Sequence, residues 1–167
     1  AAVERTPRQG DVVADRYVLS GFAGGGGMAN VWKGYARGMA GFRRPVALKH
    51  IRPEFAADPK FVRMFVEEAR VGSHLSHPNI VQVLDFVASD GGNLYLVMEW
   101  VEGLDLERYL YEFERRGHHA PWQVVVAIFV DALRGLAVAH RGIARDGLQV
   151  PILHRDISPQ NILISVD

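Results

Sequence analysis

Four consecutive glycines, Gly24–Gly27, lie between two short runs of strand character, Arg16–Ala23 and Ala29–Ala36. In the first run Tyr17 and Leu19 alternate and Phe22 follows; the second carries Val31 and Trp32. Alone, a glycine run reads as a flexible linker. Here only a few residues separate the two strands, which calls for a tight hairpin. Glycine lets the backbone approach a ligand closely, and its exposed N–H groups can face phosphate. The chain therefore opens, after a polar lead-in at residues 1–15, with a β-hairpin whose tip suits an anion.

A polar, glycine-containing connection, Arg37–Arg44, leads to Pro45–Ile51. There Val46, Leu48 and His50 alternate against Ala47, Lys49 and Ile51, so Lys49 sits in a strand. Asp58-Pro59 then supplies a helix start, an acceptor at the cap and proline in the first turn. Phe61, Met64, Phe65, Gly72 and Leu75 follow on one face by steps of three and four. Glu68 shares that stripe, whereas Glu67 is turned about 100° away. A carboxylate on a buried stripe is costly unless paired, which singles out Glu68 as the partner of Lys49.

His77-Pro78-Asn79 ends the helix, and Ile80–Ala88 and Leu94–Val101 read as two strands joined by Ser-Asp-Gly-Gly-Asn. Beyond Glu102-Gly103, Asp105 can cap a short helix with Leu106, Tyr109, Leu110 and Phe113 inward. Pro121 opens a longer one, whose stripe from Trp122 through Val126, Phe129, Leu133 and Ala137 to His140 predicts a core helix. Arg141–Val150 reads as a polar loop. Residues 152–164 (ILHRDISPQNILI) then predict strand, loop, strand, with Asp156 and Asn161 in the loop, spaced to act on one small volume.

Composition narrows the function. The chain of 167 residues has 19 basic and 19 acidic residues, so its formal charge gives no support for nucleic-acid binding. There is no cysteine, which removes disulfide and thiol chemistry and fits a cytoplasmic setting, alone or in a membrane-anchored parent. No uninterrupted apolar run approaches the ~20 residues of a membrane span. The seven histidines form no HExxH or Cys/His ligand array, and His118-His119 reads as an exposed loop pair. Both chain ends look cut, so a fragment of a larger domain is expected.

Taken in order, these elements resemble the protein kinase family. Gly24-Gly25-Gly26-Gly27-Met28-Ala29-Asn30-Val31 is similar to its Gly-x-Gly-x-x-Gly-x-Val loop, Val46-Ala47-Leu48-Lys49 to its third strand, and His154-Arg155-Asp156 with Asn161 to its catalytic loop. The resemblance implies an α+β fold: a small antiparallel sheet lobe with one helix over residues 16–101, then the start of a mainly helical lobe over 102–167. It implies ATP and Mg²⁺ as cofactors and a protein as substrate. Lys49 and Glu68 would orient the phosphates under the loop containing Gly24 and Gly26, and Val31 and Ala47 would cover the adenine. Glu99 and Val101 would offer it backbone groups, Leu163 would floor its pocket, and Met98 would be the gatekeeper. Asp156 would orient the acceptor hydroxyl and Asn161 would bind one Mg²⁺. The Gly-Gly-Met form is similar to bacterial kinases of the eukaryotic-like Ser/Thr type.

Three departures stand beside the resemblance. The third glycine is Ala29. Ser158 stands where Ser/Thr kinases commonly carry a lysine that contacts the transferred phosphate. No Asp-Phe-Gly, activation segment or Ala-Pro-Glu occurs in the 167 residues. A fragment without turnover of its own is therefore expected, and so is apolar surface left open on the 121–140 helix. A nucleotide-binding pseudokinase or scaffold and a kinase-like small-molecule phosphotransferase are the alternatives. The four residues Lys49, Glu68, Asp156 and Asn161 speak against the first, and the glycine loop and His-Pro-Asn against the second.

Overall fold

A computed structural model describes residues 6–145 and 148–166. They fall into two compact units. One comprises the residues up to His74 together with Gln82–Trp100; the other comprises Leu75–Val81 and the residues from Val101 onward.

The first unit is a six-stranded antiparallel sheet. Its strands are β1 (Val12–Val13), β2 (Tyr17–Gly25), β3 (Ala29–Arg37), β4 (Arg43–Ile51), β5 (Val83–Ala88) and β6 (Leu94–Glu99), in spatial order β1-β2-β3-β4-β6-β5. Central β4 pairs with β3 through Lys49↔Val31 and Ala47↔Lys33, and with β6 through Lys49↔Leu96 and Ala47↔Met98. Alternation sends successive side chains to opposite faces. Val46 and Leu48 join Leu19, Tyr95 and Val97 in one core; Ile51 joins Leu96, Phe65 and Ala69 in the other. Both faces of β4 are thus covered, and fully burying a residue such as Leu48 or Ile51 contributes about 1.5–3 kcal/mol. Strand packing is closest at Gly34, where an added Cβ would stand 2.5 Å from the Leu48 Cδ1 and 2.5 Å from the Val18 carbonyl oxygen.

A short α1 (Pro53–Ala56), which the sequence pattern did not announce, precedes α2 (Pro59–Gly72). Asp58 caps α2 as expected, its carboxylate accepting the Lys60 N–H at 2.8 Å. The packed stripe of α2 is rotated from the expected one. Phe65 and Ala69 are buried, with Phe61 and Val62 packed beside them, while Met64 is exposed. Glu68 therefore lies at the stripe's edge, not within it. The β5–β6 hairpin closes through the Ser89 N–H on the Asn93 carbonyl (2.9 Å), with Gly92 in the left-handed region at φ 81°. β5 begins at Val83 rather than Ile80, because Ile80 closes a turn onto the His77 carbonyl. β6 ends at Glu99, so Val101 lies outside the strand.

In the second unit β7 (Gly103–Asp105) leads into α3 (Leu106–Glu114). Asp105 caps α3 by accepting the Arg108 N–H at 2.8 Å, and Leu106 is buried. α4 (Trp122–Arg141) follows, but its packed side is narrow: Gly135 and Ala139 are buried, whereas Trp122 and Leu133 of the expected stripe are 69% and 60% exposed. The core-helix expectation thus fails over most of that stripe, and apolar surface is left open as expected. Gly135 allows the close approach, since a Cβ there would lie 2.6 Å from the Asn79 carbonyl oxygen. By length and composition α4 is apolar enough to cross a membrane, a test that a soluble protein's core helix also passes. Counting uninterrupted runs hid this, because Asp131 and Arg134 break the run while pairing with each other at 2.8 Å.

Two further expectations are corrected here. The supposed polar loop after α4 contains a hairpin, β8 (Ile143–Arg145) with β9 (Leu148–Val150). No strand precedes His154 within residues 151–158; Ile152 instead donates its N–H to the Ala139 carbonyl at the end of α4. The strand after the loop does form. It is β10 (Leu163–Ser165), paired with β7 through Leu163↔Asp105, and Gly103 has no room for a Cβ against the Ile164 carbonyl.

Candidate active site

The residues singled out above fall into two groups, one in each unit. In the first unit the β2–β3 hairpin carries the glycines. Its register runs Gly24↔Val31 and Gly25↔Asn30, and the Gly26 N–H closes the turn onto the Ala29 carbonyl at 3.0 Å. A Cβ built on Gly24, Gly26 or Gly27 would meet nothing within 4 Å, and none of the three has a positive φ. Neither backbone conformation nor internal packing demands glycine there. What the missing side chains leave is space above exposed backbone, which fits phosphate oxygens. Ala29 is buried opposite Ile51, so its one methyl is accommodated within the sheet.

Lys49 projects from β4 on the face that packs against α2, and its Nζ donates to Glu68 Oε1 at 2.6 Å. The side chains are 27% and 47% exposed, so the pair is open to solvent on one side. The neighbouring Glu67 turns away and takes Arg70 at 2.9 Å, which settles which glutamate meets the lysine. Cross-strand neighbours place Val31 and Leu96 on either side of Lys49, and Met98 beside Ala47. Sequence reasoning missed Arg52. Its backbone N–H binds the Met28 carbonyl at 3.0 Å, its guanidinium reaches the Gly27 carbonyl at 3.3 Å, and it also pairs with Glu54. It ties the end of β4 to the glycine hairpin. Its only sequence signal is its place one residue past the strand.

On the reverse face of the strand His50 is buried against Tyr95, ring centroids 4.9 Å apart, and its Nδ1 has no hydrogen-bond partner. Burial holds its pKa below the ordinary histidine value, opposed by a hydrogen bond with Asn93. Tyr17, whose hydroxyl donates to Asp85 at 2.7 Å, is pushed up to about 12 by burial and by that carboxylate.

In the second unit the loop bearing Asp156 is organised by Asn161. The Asn161 Nδ2 donates to the Asp156 carbonyl at 2.9 Å and to its Oδ2 at 3.0 Å. With both amide hydrogens committed, the amide oxygen is turned away from Asp156; a hard oxygen donor so placed fits Mg²⁺. A one-turn 3₁₀ segment at Pro159–Asn161, started by the Asn161 N–H on the Ser158 carbonyl, sets this geometry. Arg155 sits at φ 64°, a left-handed conformation that non-glycine residues adopt at a cost of about 1–3 kcal/mol. The Asp156 N–H approaches the His154 Nδ1 at 3.4 Å. Gln160 donates to Glu107 of α3 at 2.6 Å and so fastens the loop to that helix. Leu163 is half-exposed on β10, and Val101 is half-buried just before β7. No cluster of three or more His, Asp or Glu able to hold a metal occurs among the described residues.

A glycine hairpin and a strand lysine bonded to a helix glutamate in one unit, and an Asp–Asn loop in the other, are features of the protein kinase fold. The chain belongs to the protein kinase family: the model of the protein kinase domain matches residues 17–167. It is 38% identical over 149 residues to the tyrosine-protein kinase MasK of Myxococcus xanthus, covering 89% of this chain and 23% of that protein. It is 38% identical over 155 residues to the serine/threonine-protein kinase PrkC of Bacillus subtilis (93% and 22%) and 36% identical over 163 residues to PknL of Mycobacterium tuberculosis (98% and 37%). Among solved structures, the PknI kinase domain of Mycobacterium tuberculosis superposes with a TM-score of 0.72 at 30% identity, covering 96% of this chain and 59% of that one. The chain thus spans well under half the length of these curated relatives.

Proposed function

We propose that this chain supplies the nucleotide-binding part, residues 16–101, and the catalytic-loop part, within 102–167, of an ATP-dependent protein kinase that phosphorylates Ser/Thr hydroxyls. The Lys49–Glu68 bond carries the proposal. It holds an ammonium beside the open glycine hairpin, where it can take the α- and β-phosphates. Gly24 and Gly26 present backbone over them. Val31 and Ala47 cover the adenine, and Glu99 meets it by backbone groups. Asp156 orients the acceptor hydroxyl and receives its proton, held in place by Asn161, whose amide oxygen serves as a Mg²⁺ ligand. The metal supplies neutralisation of phosphate charge. Use of ATP and a protein acceptor fits a cytoplasmic reaction.

The Ser/Thr preference rests on the Gly-Gly-Met loop and on the names of PrkC and PknL. The name of MasK favours a second reading, tyrosine as acceptor. Transfer of labelled γ-phosphate to matched Ser, Thr and Tyr peptides, followed by phosphoamino-acid analysis, separates the two. The enzyme used is this chain extended through an Asp-Phe-Gly and activation segment. Phosphotyrosine alone overturns the Ser/Thr assignment, and ATP binding with no transfer to any acceptor overturns the enzyme in favour of the pseudokinase. The 167 residues alone are expected to transfer no phosphate at a useful rate, since no Asp-Phe-Gly is among them; labelled product from this chain by itself would refute that.

A further inference from the structure

The end of the β3–β4 hairpin opposite the glycines has a chemistry that nucleotide binding does not use. The nine-residue β3 places this end about 27 Å from the glycine turn. The connection is a short 3₁₀ turn at Met39–Gly41, ordered by the Gly38 N–H on the Phe42 carbonyl (2.8 Å) and the Phe42 N–H on the Met39 carbonyl (3.0 Å). Ala40 at φ 53° and Gly41 at φ 80° bend it, and this shape projects Met39, 92% exposed, and Phe42, 66% exposed. Arg37, Arg43 and Arg44 flank the two apolar side chains, all exposed, with Arg43 4.6 Å above the Tyr35 ring. Although the chain is formally neutral, seven Lys or Arg and no Asp or Glu occur between Asp15 and Glu54. At the neighbouring start of β2, Asp15 is exposed, and Asp85 is held by Tyr17 and Arg16.

We infer that this turn is a docking tip for an anionic lipid surface. Two projecting apolar side chains are far short of the ~800 Å² per partner that a stable protein interface buries, and a convex tip offers no groove to a peptide. A fluid bilayer needs no complementary shape: Met39 and Phe42 enter the headgroup boundary while the arginines meet lipid phosphates and carboxylates. The surface would hold this end of the sheet and leave the glycine end clear.

The test is vesicle flotation of the full chain with phosphatidylserine-containing and with pure phosphatidylcholine vesicles. Binding to the anionic vesicles alone is expected, weakened about a hundredfold by Arg37→Gln/Arg43→Gln/Arg44→Gln and at least tenfold by Met39→Ser/Phe42→Ser. Thermal unfolding of both variants should match the parent, since every changed side chain is exposed. Equal binding to neutral vesicles, or binding unaffected by these loop variants but lost in Leu133→Glu, would assign the attachment to the apolar face of α4 and overturn the proposal. Binding to an acidic polypeptide with none to either vesicle would overturn it in favour of a protein partner.

Discussion

The two candidate groups, one in each unit, are built by different means. The Lys49–Glu68 bond joins residues 19 apart and exists because β4 is paired on both sides and α2 packs against one face of the sheet. The Asp156–Asn161 bond joins residues five apart and is made within one turn of 3₁₀ backbone. The first is long-range and needs the whole first unit; the second is local and is fastened at its margins by β10 against β7 and by Gln160 on Glu107. A long-range pair should report on global folding, and a local loop on chemistry.

The largest expected effect tests that division. Asp156→Asn, in the chain extended through the remaining kinase segments, should lower kcat about a thousandfold with nucleotide affinity unchanged. Lys49→Met should impair both, as measured by steady-state kinetics and nucleotide titration. Equal loss of ATP affinity in the two variants would break the comparison. Next in size, Gly34→Ala should destabilise the first unit by about 2–3 kcal/mol, because its Cβ has no room between Leu48 and Val18. Denaturant unfolding followed at Trp32 would show it, and an unchanged midpoint would contradict the close strand approach. Gly26→Ala, with nothing within 4 Å of its Cβ, should leave that midpoint alone and weaken ATP binding.

His50 gives a pH dependence confined to the first unit. Its folded pKa is lowered, so the unfolded chain takes up the proton first. The stability it contributes is present above about pH 6.5 and is lost as pH falls from there toward the folded value. Tyr17 acts at the other end: raised to about 12, it contributes stability below pH 10 that is lost as pH rises toward 12. Thermal melts between pH 5 and 8 should slope for the parent and flatten for His50→Phe; identical slopes would exclude His50 as the cause. The smallest effect belongs to Ser158→Lys, expected to raise kcat up to about tenfold by adding a charge at the transferred phosphate. No change would show that the missing lysine is not what limits transfer.

Much of this was legible in the residues. Glycines between strand-like runs, a cap before a proline, and an Asp and Asn five apart are short-range signals, and each appears where its local chemistry puts it. The errors fall where a pattern has two solutions. The α2 stripe turned so that Phe65 and Ala69 carry the contact, because the sheet face that receives the helix sets its rotation, and Glu68 came to the edge of that stripe. Along α4 the apolar residues cover too much of the helix for periodicity to choose a side; small Gly135 and Ala139 chose it, by admitting the Asn79 backbone and the chain at Ile152. The β8–β9 hairpin was hidden because three-residue strands carry no usable period.

By itself the sequence determined the order of the main elements, the family and the candidate residues of the site, since those depend on residue type and short spacing. Only the tertiary structure decided that Glu68 lies at the edge of the packed stripe of α2, that Arg52 braces the glycine turn, and that Met39 and Phe42 stand out among arginines. Each of these depends on register, helix rotation or turn direction. Those are fixed by packing between segments far apart in the chain, where no local spacing records them.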